Sequence, residues 1–146
     1  MYMSCTRTDG VCHTENGVRV VVPKGEVVLT AYTPGIVRVE KYYPGTYGSV
    51  PRDSSLCVIL RPQDLRYEVS RDDSTVFLRT DSLLVRVDRK DGHVTFSDIS
   101  GTHITGEKAE GCLMTPRKDG TEESYGISQT FVLDQDEAIY GLGQHR

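Results

Sequence analysis
The sequence predicts an all-β protein, folded as an antiparallel β-sandwich. Two observations carry this. Short β-branched runs with period two recur along the chain, separated by Pro-Gly, Asp-Gly and Asp/Ser turns at roughly 8–12-residue spacing. No long stretch shows the 3.6-residue apolar period of an amphipathic helix.

The elements follow in order. Val18-Arg19-Val20-Val21-Val22 reads as a strand, broken by Pro23-Lys24-Gly25. Residues 26–32 form the next, ended by Thr33-Pro34-Gly35, where Pro presets one backbone angle and Gly accepts positive φ. Residues 36–42 make a third strand, with Ile36 out of phase with Val37, Val39 and Lys41. The apolar run Leu56-Cys57-Val58-Ile59-Leu60 is expected as a strand buried on both faces. Residues 66–70 and 75–80 flank the hairpin connection Arg71-Asp72-Asp73-Ser74. Residues 82–88 place Leu83, Val85 and Val87 on one face; Lys90-Asp91-Gly92 turns the chain. Residues 93–97 return with Val94 and Phe96 on one face, and residues 98–101 turn into a short strand at 102–105. From Gly106 to Gly126 the alternation fades, and an irregular loop is expected. Residues 128–133 are a strand, 134–137 a polar turn, and Ala138-Ile139-Tyr140 begins the last strand.

Composition narrows the function classes. The chain has 146 residues, enough for a core without disulfide or metal staples. Lys+Arg number 17 and Asp+Glu 21, so the net charge of −4 leaves no general footprint for nucleic acid. No apolar run is long enough for a membrane-spanning helix. Residues 1–17 are expected as a flexible N-terminal segment and residues 18–146 as one β-sandwich domain. Met1-Tyr2-Met3-Ser4-Cys5 has neither the charged region nor the apolar stretch of a signal peptide.

The cysteines leave several readings open. No two of Cys5, Cys12, Cys57 and Cys112 make a CxxC pair, so neither a zinc site nor a dithiol redox site is expected. Cys57 reads as a small buried hydrophobe. Cys5 and Cys12 are a disulfide if the protein is exported, and free thiols otherwise. Cys5 after Ser4 also fits the lipidated position of an exported lipoprotein. The compartment stays open, with a lean toward export to the periplasm or cell envelope.

Few residues announce chemistry. A nucleophile elbow, a P-loop, a dinucleotide fingerprint and a metal-binding HExxH are absent from the sequence. No catalytic residue, metal ligand or cofactor is predicted. Asp72-Asp73 and Glu122-Glu123 read as solvated loop charges rather than catalytic acids. Tyr43 and Tyr47, set among Tyr42, Pro44, Gly45 and Gly48, are the candidate substrate-binding residues, because aromatic faces stack on sugar rings. The competing reading packs those rings along a sheet edge.

The C-terminal stretch runs from Phe131-Val132-Leu133 through Asp134-Gln135-Asp136-Glu137-Ala138-Ile139 to Tyr140-Gly141-Leu142-Gly143-Gln144. It resembles the N-terminal domain of glycoside hydrolase family 31, whose members carry a YGLGE-like motif. Tyr32-Thr33-Pro34-Gly35-Ile36-Val37-Arg38-Val39 and the hairpin over residues 81–104 resemble earlier segments of that domain, in the same order. The family's usual acid is Gln144 here, which keeps the reach of glutamate and loses its charge. Tyr140, Gly141, Leu142, Gly143 and Gln144 are therefore expected as a structural motif where the chain turns toward the next domain.

The resemblance implies a galactose mutarotase-like sandwich, incomplete in this chain, preceding a catalytic (β/α)8 barrel. Retaining hydrolysis of α-glucosides or α-xylosides would belong to that barrel, whose paired carboxylates lie outside this sequence. The implied partners are the catalytic barrel of the same polypeptide and the carbohydrate substrate of the parent enzyme. No nucleic acid or membrane span is expected. The chain alone would scaffold the barrel and shape the rim of its active site, without hydrolase activity. Exposed sheet edges are expected to favour self-association. The alternatives are an independent carbohydrate-binding or adhesive module and a free-standing mutarotase-like enzyme. The last would need a general base that His93 and His103 are poorly placed to supply.

Overall fold
The computed structural model describes residues 10–47, 58–138 and 140, with Glu122 and Glu123 described for their backbone only. The described residues contain ten strands and no helix. They are β1 (Val11–Thr14), β2 (Gly17–Val22), β3 (Gly25–Thr33), β4 (Ile36–Tyr42) and β5 (Glu68–Arg71). Then come β6 (Thr75–Arg79), β7 (Leu83–Asp88), β8 (Val94–Asp98), β9 (His103–Asp119) and β10 (Glu122–Val132). A four-stranded sheet has the order β1-β2-β3-β4, and a six-stranded sheet the order β10-β9-β8-β7-β6-β5. All pairings are antiparallel between sequence neighbours. The all-β sandwich read from the sequence is the observed architecture.

Alternation explains which side chains fill the layer between the sheets. Val18, Val20, Val22, Val27 and Leu29 project from β2 and β3. They meet Val76 and Leu78 of β6, Val85 and Val87 of β7 and Val94 of β8, all five of which have 0% exposure. Burying a side chain of this size contributes roughly 1.5–3 kcal/mol. Val37, Val39, Leu83 and Phe96 pack against the same cluster, as their phases required, while Ile36 is 50% exposed.

Polar contacts among the described residues help tie the sheets together. The Tyr67 hydroxyl donates to the Thr14 carbonyl at 3.4 Å, and the Thr80 hydroxyl to the Pro34 carbonyl at 2.6 Å. The Lys41 ammonium on β4 meets the Glu107 carboxylate on β9 at 2.5 Å. Turn geometry is locally encoded. Gly25 enters β3 at φ 144°, where an added Cβ would stand 2.0 Å from the Tyr42 carbonyl oxygen. Gly92 lies at φ 77° in the β7–β8 turn and packs against Val22 and Val27.

Three expectations change. Residues 106–126 are not a loop: β9 and β10 form a long hairpin through them, closed by Gly120 (φ 62°) and Thr121. Only the start of β9 pairs with β8, so its distal half lies along a two-stranded ribbon. Both faces of residues 115–119 are exposed, so charged residues occupy both and the alternation disappears. Pro116 is tolerated there because a ribbon strand has one edge free of ladder hydrogen bonds.

The second change concerns the apolar run ending at Leu60. Its described part, residues 58–60, is not a strand, and Ile59 is 92% exposed. A short apolar run has no periodicity to assign it to a layer. The layer here is already filled by β2, β3 and β6–β8, and residues 58–60 lie outside it. Leu56 and Cys57 lie outside the described residues. The third change is at the front: the span 1–17, expected as a flexible lead-in, contains β1, which extends the first sheet. Cys12 on β1 is disulfide-bonded to a partner outside the described residues, whereas Cys112 is free. Cys5 also lies outside them.

Candidate functional site
The β2–β3 turn, the end of β4, the β7–β8 turn and the middle of β9 converge on a cleft of about 400 Å³. The β2–β3 and β7–β8 hairpins deliver Pro23–Gly25 and Asp91–Gly92, whereas Lys41–Pro44 lie at the end of β4 and Cys112–Met114 lie along β9. Val22, Val27 and Met114 give it an apolar floor, and Lys41, Tyr43 and Asp91 supply its polar side. Lys41 does not stand alone. Its partner Glu107 is 8% exposed and also accepts the Val94 backbone N–H at 2.7 Å. The buried carboxylate thus has a cation and a backbone donor, as burial of a charge requires.

The β7–β8 turn carries a second polar cluster. Ligand atoms of Asp88, Asp91 and His93 lie within 4.8 Å of one another, a donor set of a type that holds divalent cations. Their hydrogen bonds show what they do without one. Asp91 Oδ1 accepts the His93 backbone N–H at 3.1 Å and lies 2.7 Å from His93 Nδ1. Asp91 Oδ2 accepts the Glu110 N–H, and Asp88 Oδ1 accepts the Lys90 N–H at 2.8 Å. Burial pushes the Asp91 carboxyl up, but the donors from His93 and Glu110 outweigh it and hold the group below the ordinary aspartate value. The cluster therefore clamps the turn to β9, at a point where Glu110 has the positive φ of 58°. Asp72 and Asp98 act likewise in their own turns. Ser74 and Thr75 N–H groups hold the Asp72 carboxyl down, and the Ser100 hydroxyl and Thr102 N–H do so for Asp98.

The tyrosines are divided between the two sides of the first sheet. Tyr43 lines the cleft, its ring 5.1 Å from that of Tyr125 on β10. Tyr47 packs edge-on against Tyr42, ring centroids 5.2 Å apart. The Arg19 guanidinium lies over Tyr47 at 4.5 Å. Arg19 alternates with the buried Val18 and Val20, so Tyr47 covers the face of the sheet turned away from the core. The structure thus brings Tyr42 and Tyr47 together and sends Tyr43 elsewhere. Tyr140 is 89% exposed, and Gly141, Leu142, Gly143 and Gln144 lie outside the described residues.

Lys41, Glu107 and Asp91 were not singled out in the sequence. Lys41 and Glu107 are 66 positions apart, and Glu107 fell in the span read as loop. Asp91 was legible only as half of an Asp-Gly turn.

The fold defines a two-sheet antiparallel β-sandwich domain with a ribbon reaching past one sheet. Residues 26–146 match the glycosyl hydrolase 31 N-terminal galactose mutarotase-like domain, and the chain belongs to that family. Among solved structures it is similar to a GH31 alpha-xylosidase from Xanthomonas citri, with 29% identity and a TM-score of 0.78. The match covers 91% of this chain and 14% of that chain.

Proposed function
We propose that the chain is the non-catalytic N-terminal domain of a retaining α-glycosidase acting on α-xylosides or α-glucosides. In this role it scaffolds a catalytic barrel of the same polypeptide and shapes the rim of its active site. The observation that carries the reading is the family match over residues 26–146, joined to likeness with an α-xylosidase in which the matched part is a small fraction of the chain. Retaining hydrolysis needs two carboxyls roughly 5–5.5 Å apart facing a glycosidic bond. The best-placed acids here have other duties: Glu107 is paired with Lys41, and Asp91 is committed to the turn clamp. In this reading Tyr43 is the candidate for contact with a sugar, supported by its position lining the cleft, whereas the Tyr47 ring lies under Arg19.

The test is an assay of the full-length gene product and of residues 1–146 with p-nitrophenyl α-xyloside and α-glucoside. The expected result is turnover by the former only. Turnover by residues 1–146 that disappears on replacing one of its carboxylates would overturn the reading. So would a full-length product without α-glycosidase activity.

A further inference from the structure
The β1–β2 hairpin carries the only asparagine in the sequence, Asn16, and a glycine follows it. Glu15 and Asn16 make the turn between Thr14 and its cross-strand partner Gly17. Asparagine is at home in such a turn. Glycine is required at position 17 for a reason that lies outside the turn. A Cβ there would stand 1.9 Å from the Leu29 carbonyl oxygen of β3. The close approach of β3 thus keeps the residue after Asn16 without a side chain, and no Cβ shields the Gly17 nitrogen from the Asn16 amide. Asn16 is half-buried, and its backbone carbonyl accepts the Ala31 N–H at 2.8 Å. Among the described residues no hydrogen bond holds its side chain. Turning that amide toward the next peptide bond therefore breaks no contact of its own.

We propose that Asn16 is a site of spontaneous modification, where the side-chain amide is lost through a cyclic imide formed with Gly17. Asparagine is among the chemically labile residues. The Gly17 backbone nitrogen gives its proton to hydroxide and bonds to Asn16 Cγ. The Cγ–Nδ2 bond breaks, and that nitrogen takes a proton from water and leaves as ammonia. Water then opens the imide at either carbonyl, giving aspartate or isoaspartate. Both products place a new negative charge beside Glu15. Asp91-Gly92 and Asp119-Gly120 share the glycine neighbour, but an ionised carboxylate resists nucleophilic attack. Asp91 is also held by the His93 and Glu110 N–H groups.

The ladder sets the timing. Gly17 pairs with Thr14 on one side and Thr30 on the other, so cyclisation waits until the turn opens. β1 is a four-residue strand at the end of its sheet among the described residues, and such an element opens more readily than the core. In isoaspartate the main chain runs through the former side chain and gains a methylene. The carbonyl bonded to Ala31 then leaves the main chain. Ageing at Asn16 thus weakens the pairing of β1, whatever the role of the domain in its parent enzyme.

The experiment incubates the folded full-length gene product at pH 7, 8 and 9 beside a synthetic peptide of residues 13–19. Peptide mapping by mass spectrometry reads the amide-to-acid conversion, and an isoaspartyl methyltransferase reads the iso form. Conversion at Asn16 should rise with pH and run roughly tenfold to a hundredfold more slowly than in the peptide, because only the opened turn reacts. No conversion after several hundred peptide half-lives (roughly, several times the slowest expected rate) would overturn the proposal. So would conversion that appears only in denaturant, or isoaspartate at Asp91 and Asp119 at a similar rate. Asn16→Gln closes the larger ring slowly and should stay unmodified. Amide exchange of residues 11–14 should be at least roughly threefold faster in the aged wild type than in Asn16→Gln aged alike. Equal exchange would overturn the consequence for β1.

Discussion

The two ends of the inter-sheet layer are written in the same alternating pattern and are buried to opposite degrees. On β6, β7 and β8 the inward row is sealed, with Val76, Leu78, Val85, Val87 and Val94 at 0% exposure. On β10 the inward row is half bare, with Ile127 at 70% and Phe131 at 55%. The difference is not in the strands themselves but in what lies opposite. β2 and β3 cover the first group, and the four-stranded sheet stops short of the second. Alternation thus records which face a strand is built to bury, whereas burial records which covering element is at hand.

The largest expected effect contrasts the two rows directly. Leu78→Ala should lower the unfolding free energy of residues 1–146 by about 3 kcal/mol, because a sealed core cannot collapse around the lost atoms. Ile127→Ala should change it by less than about 0.5 kcal/mol, since solvent already reaches that side chain. Urea titrations of both variants measure this, and similar losses would break the contrast.

A smaller effect lies at the boundary between the two regions. Lys41→Met should cost about 2 kcal/mol, because it strands the Glu107 carboxylate in the layer. Adding Glu107→Gln, which removes the charge and keeps an acceptor for the Val94 N–H, should recover most of that loss in a double-mutant cycle, sharpening the view that the charge is what needs a partner.

The smallest effect is a pH dependence at the clamp between the β7–β8 turn and the ribbon. The folded protein holds the Asp91 carboxyl below its ordinary 3.8, so ionised Asp91 contributes stability that is complete above that value. The contribution fades as pH falls through the lower folded value. Urea midpoints followed from pH 6 to 2.5 should therefore drop more steeply for wild type than for Asp91→Asn. Asp72 and Asp98 titrate in both proteins and cancel in the difference. Parallel curves would show that the clamp contributes nothing measurable.

Sequence reading worked where one face of a strand is buried and the other is wet. The phases of Val37 and Val39, of Leu83, Val85 and Val87, and of Val94 and Phe96 were all legible and are all observed. It failed where that asymmetry is missing. The far end of β9 is exposed on both faces, so nothing in residues 115–119 distinguishes it from a loop. The run ending at Leu60 is apolar throughout, so it carried no sign that residues 58–60 would lie outside the layer. The candidate site was harder still. Lys41 meets Glu107 only because two sheets pack, and the tyrosines that adjoin in sequence part company across a sheet. The family resemblance was legible because it rests on ordered local segments, which need no packing to be read.

β9 takes five steps from Glu107 to Cys112 while β10 takes two from Gln129 to Phe131. The surplus residues between form a bulge held by Asp91 at Glu110. Mechanically, β9 is two rods joined by a crank: one rod is bolted to β8 and the other carries the ribbon. The crank lets the ribbon be re-aimed, or the surplus lengthened, without slipping the register of either rod. Relatives that share the sealed core could therefore point this arm at differently shaped neighbours, with the angle set by a few residues at the crank.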